Sequence, residues 1–281
     1  MTGDDSVVLR VAGRPVARYV VRPELPARLS PRPYLHPVTT LAGTAVTELA
    51  PADHLHHLGV GVAVPDVEGH NFWGGRTFVR DQGPTELDNH GVQRHAGFQL
   101  RDPDGFVAQL RWTAAGGELL RERRTVAATG LTDTAWALDF TFSLTNVTPE
   151  PLSIGSPATN GRPGAAYGGF FWRARKEDAV PEVFTAGAEG EAEVHGWCAD
   201  WLALAGADWT LVFAGATDRT RKDPWFVRTG EYPGVGSSLA HDERLPIAPG
   251  DTVVRRIVTV VADGRLGRDG AAALVRKAVS L

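Results

Sequence analysis

Cysteine is almost missing from this chain of 281 residues: Cys198 is the only one. That excludes an internal disulfide and a thiolate-rich zinc site. Flanked by Trp197 and Ala199, with no base beside it, Cys198 reads as a small hydrophobe rather than a nucleophile. Lysine is nearly as scarce. Lys176, Lys222 and Lys277 are the only lysines among 29 basic residues, so positive charge resides on arginine, whose planar fork suits carboxylates, phosphates and sugar hydroxyls. There is no basic excess: a net charge of −4 lacks the electrostatic footprint of a nucleic-acid partner. No run approaches the roughly 18 apolar residues that a membrane helix needs. No apolar segment follows the polar stretch Met1 to Asp5, as it would in a signal peptide. The expectation is a soluble, cytoplasmic protein. A G-x-S-x-G elbow, a P-loop and a G-x-G-x-x-G turn are absent as well.

Helical periodicity is confined to the end of the chain, where Asp269 is expected to cap Gly270 to Val279, with Arg276 and Lys277 suiting the helix dipole. The rest alternates. The clearest strand is Ala135 to Val147, with Trp136, Leu138, Phe140, Phe142 and Leu144 on one face and Asp139, Thr141, Ser143 and Thr145 on the other. Before it, Val92 to Leu100, Phe106 to Thr113 and Glu118 to Ala127 form a meander, turned at Asp102-Pro103-Asp104-Gly105 and at Gly116-Gly117. Further strands are expected at Val7 to Val11, Val16 to Val21, Tyr34 to Val38, Tyr167 to Arg173, Glu193 to Leu204, Trp209 to Ala214 and Thr252 to Ala262. Without an internal repeat or a Pro/Ser linker, the pattern predicts an all-β chain. It would form one large antiparallel β-sandwich domain over residues 1–281, closed by a short C-terminal helix.

The chemistry concentrates in Asp53-His54-Leu55-His56-His57-Leu58-Gly59, which holds three of the nine histidines. Read as the start of a strand, Leu58, Val60, Val62 and Val64 face a core. His57, Gly59, Gly61 and Ala63 leave the other face nearly bare, open to a ligand or to another backbone. Histidines at i and i+2 point to the same side of a strand, which suits a metal or two hydrogen bonds to one ligand. Two chemistries fit. A divalent transition metal would use His54, His56 and His95, with a carboxylate from Asp53 or Glu122. The spacing loosely resembles the cupin pattern, but the glutamate expected at short interval is missing. Metal-free acid–base work on a polyol would use His54, His56, His57, His95 and Glu122 as acid or base. Asp53, Asn71, Trp73, Arg173, Trp225 and Arg228 would hold the hydroxyls and stack on the ring's apolar faces. Glu122 and Arg124 share a strand face and also read as an ordinary exposed ion pair.

The stretch Asp53 to Gly59, followed by Asp66-Val67-Glu68-Gly69 and Phe72-Trp73, resembles the signature DHPHHRG…GDVNG.DFW of bacterial PmoA-like proteins, catalogued under the name methane oxygenase PmoA. Leu120 to Arg124, Tyr167-Gly168-Gly169, Pro224 to Arg228 and Leu245 to Gly264 match as well, so the resemblance covers most of residues 30–264. The chain departs from it at Leu55 and Leu58, where the pattern has Pro and Arg. A membrane oxygenase subunit is not implied, because there is no membrane span. The resemblance instead implies a large β-sandwich similar to galactose mutarotase-like proteins and a role in carbohydrate breakdown.

The expected function is therefore acid–base chemistry on a small carbohydrate, a sugar, keto-sugar or glycoside, by an epimerase, lyase or hydrolase with no cofactor. A non-catalytic sugar-binding domain and a metal-dependent oxidoreductase or lyase are the alternatives. The histidines, His95, Glu122, Arg173 and Arg228 are expected on one concave sheet face, walled by loops at 74–91, 153–166 and 215–224.

Overall fold

The computed structural model describes residues 6–281. Two large antiparallel sheets face each other. The first has seven strands in the spatial order Val7–Val11, Arg14–Val20, Tyr34–Val38, Val60–Ala63, Gly169–Arg173, Gly234–Ser238 and Trp225–Arg228. The second has eight, in the order Glu182–Phe184, Trp201–Ala205, Trp209–Gly215, Thr252–Asp263, Ala135–Asn146, Gly117–Thr132, Gly105–Ala114 and Val92–Asp102. The expected all-β sandwich with a short C-terminal helix is the architecture observed.

Strand alternation builds the core. Trp136, Leu138, Phe140, Phe142 and Leu144 point inward from the second sheet and meet Val60, Val62, Phe170, Trp172 and Val235 of the first. Burial of these large apolar side chains is the main driving term, at about 1.5–3 kcal/mol for each fully buried one. The outer face of the second sheet is lined with small residues, Ala137, Ala203, Ala214 and Ala262 among them. Ala271, Val275 and Ala278 of the helix Arg268–Val279 pack onto it. The helix begins two residues earlier than expected. Gly267 is its N-cap with no side-chain cap, and Asp269 sits in the first turn, where its charge suits the dipole.

Other differences have local causes. Tyr34–Val38 is an interior strand of the first sheet. The expected strand Glu193 to Leu204 splits into a short helix, Glu191–Val194, and the strand Trp201–Ala205, because Gly196 requires a positive φ between them. The 74–91 loop folds back as a small hairpin of Thr77–Val79 and Gly83–Thr85. Among the described residues, no helix is long and apolar enough to cross a membrane.

Candidate functional site

The histidines do not lie on a strand. Pro51 to His57 forms two consecutive tight turns, in which the His54 amide donates to the Pro51 carbonyl and the His57 amide to the His54 carbonyl, both at 2.9 Å. The strand begins only at Val60. Turns bring the rings together more closely than alternation would. His54 and His57 stack with centroids 4.5 Å apart, and His56 meets His57 edge-on at 4.8 Å. The bare face expected beside them is filled by backbone: a Cβ on Gly59, whose φ is +55°, would lie 2.2 Å from the Leu35 carbonyl oxygen.

Alternation in the strand Gly169–Arg173 supplies the floor. Phe170 and Trp172 enter the core, while Phe171 and Arg173 point to the outer face of the first sheet. There Phe171, Trp73 and Tyr232 surround His57, with ring centroids 5.1, 5.8 and 5.0 Å away. Above them opens a cavity of about 350 Å³, at the lower end of the usual range for small-molecule pockets. Asp53, His54, His56, His57, Trp73 and Arg228 line it together with Tyr167, Phe226 and Tyr232.

The hydrogen bonds define each ring's proton. Arg173 donates from Nη1 to Nδ1 of His57 at 3.3 Å. A guanidinium has no acceptor, so Nδ1 carries the lone pair and Nε2 the hydrogen. Two further bonds from Arg173 to Glu48 Oε2, at 3.0 and 2.8 Å, hold the guanidinium in place. His54 is arranged the other way. Its Nδ1 faces Asp53 Oδ2 at 3.0 Å, which makes Nδ1 the donor and leaves Nε2 as the acceptor in the neutral ring.

Burial, then the neighbouring His56, His54, Arg173 and Arg32, hold the His57 pKa well below the usual imidazole range. Burial and the same arginines pull His56 down to about 3, with His54 and His90 adding to the effect. Both rings are neutral at physiological pH. Burial opposes the ionised form of Asp53, but the His54 hydrogen bond, its own backbone amide and the charges of His54 and Arg173 outweigh it, so its pKa is lowered.

Three supports were not anticipated. Arg32 is buried and donates to the carbonyls of His56, at 2.6 Å, and Trp73, at 2.9 Å, tying the histidine turn to the Trp73 segment. It also donates to Leu29 and Ser30, and no carboxylate pairs with it among the described residues. Its place between Pro31 and Pro33 is the one sequence signal that marks it. Glu48 carried no local signal. Gly74 lets the chain close over His56: at φ +102°, a Cβ there would fall 2.7 Å from both His56 Cβ and the Leu29 carbonyl oxygen.

Four expected site residues lie elsewhere. Glu122 and Arg124 do share a strand face, but it is the inner one. Both are fully buried between the sheets, with Glu122 bound by Arg124 at 2.6 Å and by Trp112 Nε1 at 2.9 Å. The reading of an exposed pair is wrong for the same reason. His95, on the edge strand Val92–Asp102, lines a separate cavity with Arg22, Gln93 and Arg94. Trp225 points inward, its Nε1 on the Ala199 carbonyl, and alternation hands its place to Phe226 and Arg228. Asn71 is a buried brace whose Oδ1 accepts from the Trp73 and Gly74 amides, both at 2.8 Å. Arg173 acts through His57 rather than lining the cavity.

Of the expected walls, 74–91 contributes Arg76, Phe78, Pro84 and Glu86, and 153–166 contributes Arg162 and Ala165. The 215–224 segment does not line the cavity, since Asp223 there is drawn inward to Arg255. The 226–232 segment takes its place.

The metal set His54, His56 and His95 is not assembled, because His95 is in the other cavity. No group of three or more His, Cys, Asp or Glu among the described residues is placed to hold a metal. Stacked rings present faces rather than converging lone pairs. Nδ1 of His54 and of His57 are already taken, and two arginines stand behind them.

Residues 6–276 match a family of unknown function, DUF6807, and the chain belongs to it. No curated protein matches. Among solved structures, the chain is similar to the GH36 alpha-galactosidase AgaA of Geobacillus stearothermophilus, at 13% identity and a TM-score of 0.47, over 96% of this chain and 42% of that one. A variant of that enzyme in complex with 1-deoxygalactonojirimycin gives 13% and 0.41, over 93% and 41%. A heparinase III gives 10% and 0.25, over 65% and 22%. The chain thus spans less than half the length of each. These likenesses concern the course of the chain alone.

Proposed function

We propose that the cavity on the outer face of the first sheet binds a carbohydrate and acts on it by acid–base chemistry, as an epimerase, lyase or hydrolase, with the whole chain working as one domain. The observation that carries this is the Asp53–His54 pair beside His57 in an aromatic-floored cavity. Trp73, Tyr167, Phe226 and Tyr232 offer faces for the apolar C–H side of a sugar ring, while arginines and carboxylates surround its hydroxyls. His54 Nε2 takes the proton. Asp53 orients that ring and stabilises the imidazolium that forms. His57, kept neutral, donates from Nε2 to a ligand oxygen, and Arg173 fixes its tautomer. The motif resemblance to PmoA-like proteins points the same way.

The test is product analysis by NMR on a panel of sugars, keto-sugars and glycosides. His54→Ala is expected to lower turnover by about 10²–10⁴-fold while the fold is retained. If His54→Ala, His56→Ala and His57→Ala all left binding and turnover unchanged, the proposal would fail. A binding-only reading is favoured by one feature: burial holds two of the three imidazoles, His56 and His57, neutral, so they resist taking up a proton as a base must. It predicts ligand binding with no turnover in the same experiment.

A further inference from the structure

The charged groups around the cavity are not equally engaged. Asp53 is committed to His54 and Glu86 to Arg76. Arg162, exposed on the wall, has no carboxylate partner among the described residues. Among the described residues, Glu231 on the rim is unpaired and exposed as Arg162 is, and solvent screens both. Beneath the floor, Arg32 is buried with only carbonyls around it, so its charge is neither paired nor screened. The charge left both unpaired and unscreened is therefore positive.

It also has a shape. Arg162, Arg228 and Tyr167 line the same cavity, and the charges of both guanidiniums act on the Tyr167 phenol. Arg228 is held in place: Nη1 donates to the Val227 carbonyl at 2.8 Å, Nη2 to the Gly164 carbonyl at 3.0 Å, and the guanidinium lies 4.7 Å above the Phe226 ring. Glu191, 3.6 Å from Arg228, offsets part of that charge but is itself engaged by the Thr229 and Gly230 amides. Burial outweighs both arginines in keeping Tyr167 protonated. The protonated phenol has a hydrogen to donate, as the guanidiniums do.

We propose that the ligand is an acid sugar, a uronic or aldonic acid, whose carboxylate is held by Arg162, Arg228 and the Tyr167 hydroxyl. The inference rests on the carbohydrate reading above and adds the charge of the substrate. Planar guanidiniums and one hydroxyl donor match the in-plane lone pairs of a carboxylate. A doubly charged phosphate would call for more unpaired positive charge than the wall supplies.

The experiment is isothermal titration calorimetry at fixed ionic strength with glucuronate, galacturonate and mannuronate, their neutral parents glucose, galactose and mannose, and glucose 6-phosphate. At least one uronate is expected to bind about tenfold or more tightly than its neutral parent. Arg162→Ala, at an exposed position, is expected to erase that difference by lowering uronate affinity more than neutral-sugar affinity, and Tyr167→Phe to erase part of it. The inference is overturned if uronates bind no better than their parents, if glucose 6-phosphate binds more tightly than glucuronate, or if Arg162→Ala weakens both classes alike. In those cases neutral-sugar binding leaves the carbohydrate reading standing. No binding by any sugar overturns both.

Discussion

Two groups of ionisable side chains sit on opposite faces of the first sheet, and they differ in what remains unspent. Between the sheets, Glu122 takes bonds from Arg124 and Trp112. Arg124 also reaches the Pro33 carbonyl at 3.0 Å, and Gln93 ties the group to the Val62 carbonyl at 2.9 Å. Every partner there is protein, so the group joins the two sheets. On the outer face, His54 keeps a free acceptor, His57 a free donor, and Arg162 an unpaired charge, all beside a cavity. A polar cluster whose charged members are all paired holds a fold, even with the neighbouring Tyr19 hydroxyl left without a partner among the described residues. One with valences left over is poised for a ligand.

The comparison can be broken at several points. The largest effect is expected from Glu122→Ala, which leaves a buried guanidinium and an indole N–H unpaired and should cost about 3–5 kcal/mol in urea unfolding. A cost under about 1 kcal/mol would mean that water replaces the carboxylate and the cluster is not sealed.

Acidification tests the other face. His56 and His57 have folded pKa values below the ordinary 6.5, His56 at about 3. As pH falls through 6.5, the unfolded chain binds protons that the folded one refuses, so stability declines with falling pH down to the folded values. The slope is at most about 1.4 kcal/mol per pH unit for each group. His36 and His195 are lowered by burial too and add in the same direction. Unfolding midpoints at pH 7 and pH 5 check this, and His56→Gln should flatten the slope.

Asn71→Ala removes the acceptor for two buried amides and is expected to cost about 1–3 kcal/mol, with sugar binding weakened because Trp73 is no longer held. Unchanged ligand affinity in that variant would detach the brace from the site. The smallest effects belong to the rim. His54→Ala and Arg76→Gln are each expected to change stability by less than about 1 kcal/mol, since both sit in partly exposed pairs. Thermal melts beside that of Glu122→Ala would show the two faces parting.

The site was partly legible. The stretch Asp53 to His57, Trp73 and Arg228 reach one cavity as expected. His95, Glu122, Trp225 and Asn71 did not follow. Trp225 and Phe226 show why: in a strand, neighbours point to opposite sides, and no local pattern says which side is the core when both residues are aromatic. Glu122 fails similarly, because two charges at i and i+2 look the same whether their face is wet or sealed. Arg32 and Glu48 were not legible, because each owes its role to partners far away in the chain.

The sequence by itself determined the all-β character, most strand positions, the inward face of Ala135–Asn146, the terminal helix and the density of imidazoles near residue 55. Those are matters of period and composition, and they depend on neighbours within a few residues. Only the tertiary structure decided that Arg173 sets the tautomer of His57 across 116 positions, and that Arg124 and Glu122 meet Pro33 and Gln93 inside the core. It also decided that Arg162 stands unpaired beside Tyr167. Strand order brings distant segments together, and the field at a side chain comes from whatever those segments carry. Burial then decides whether a charge joins the sheets or faces the cavity.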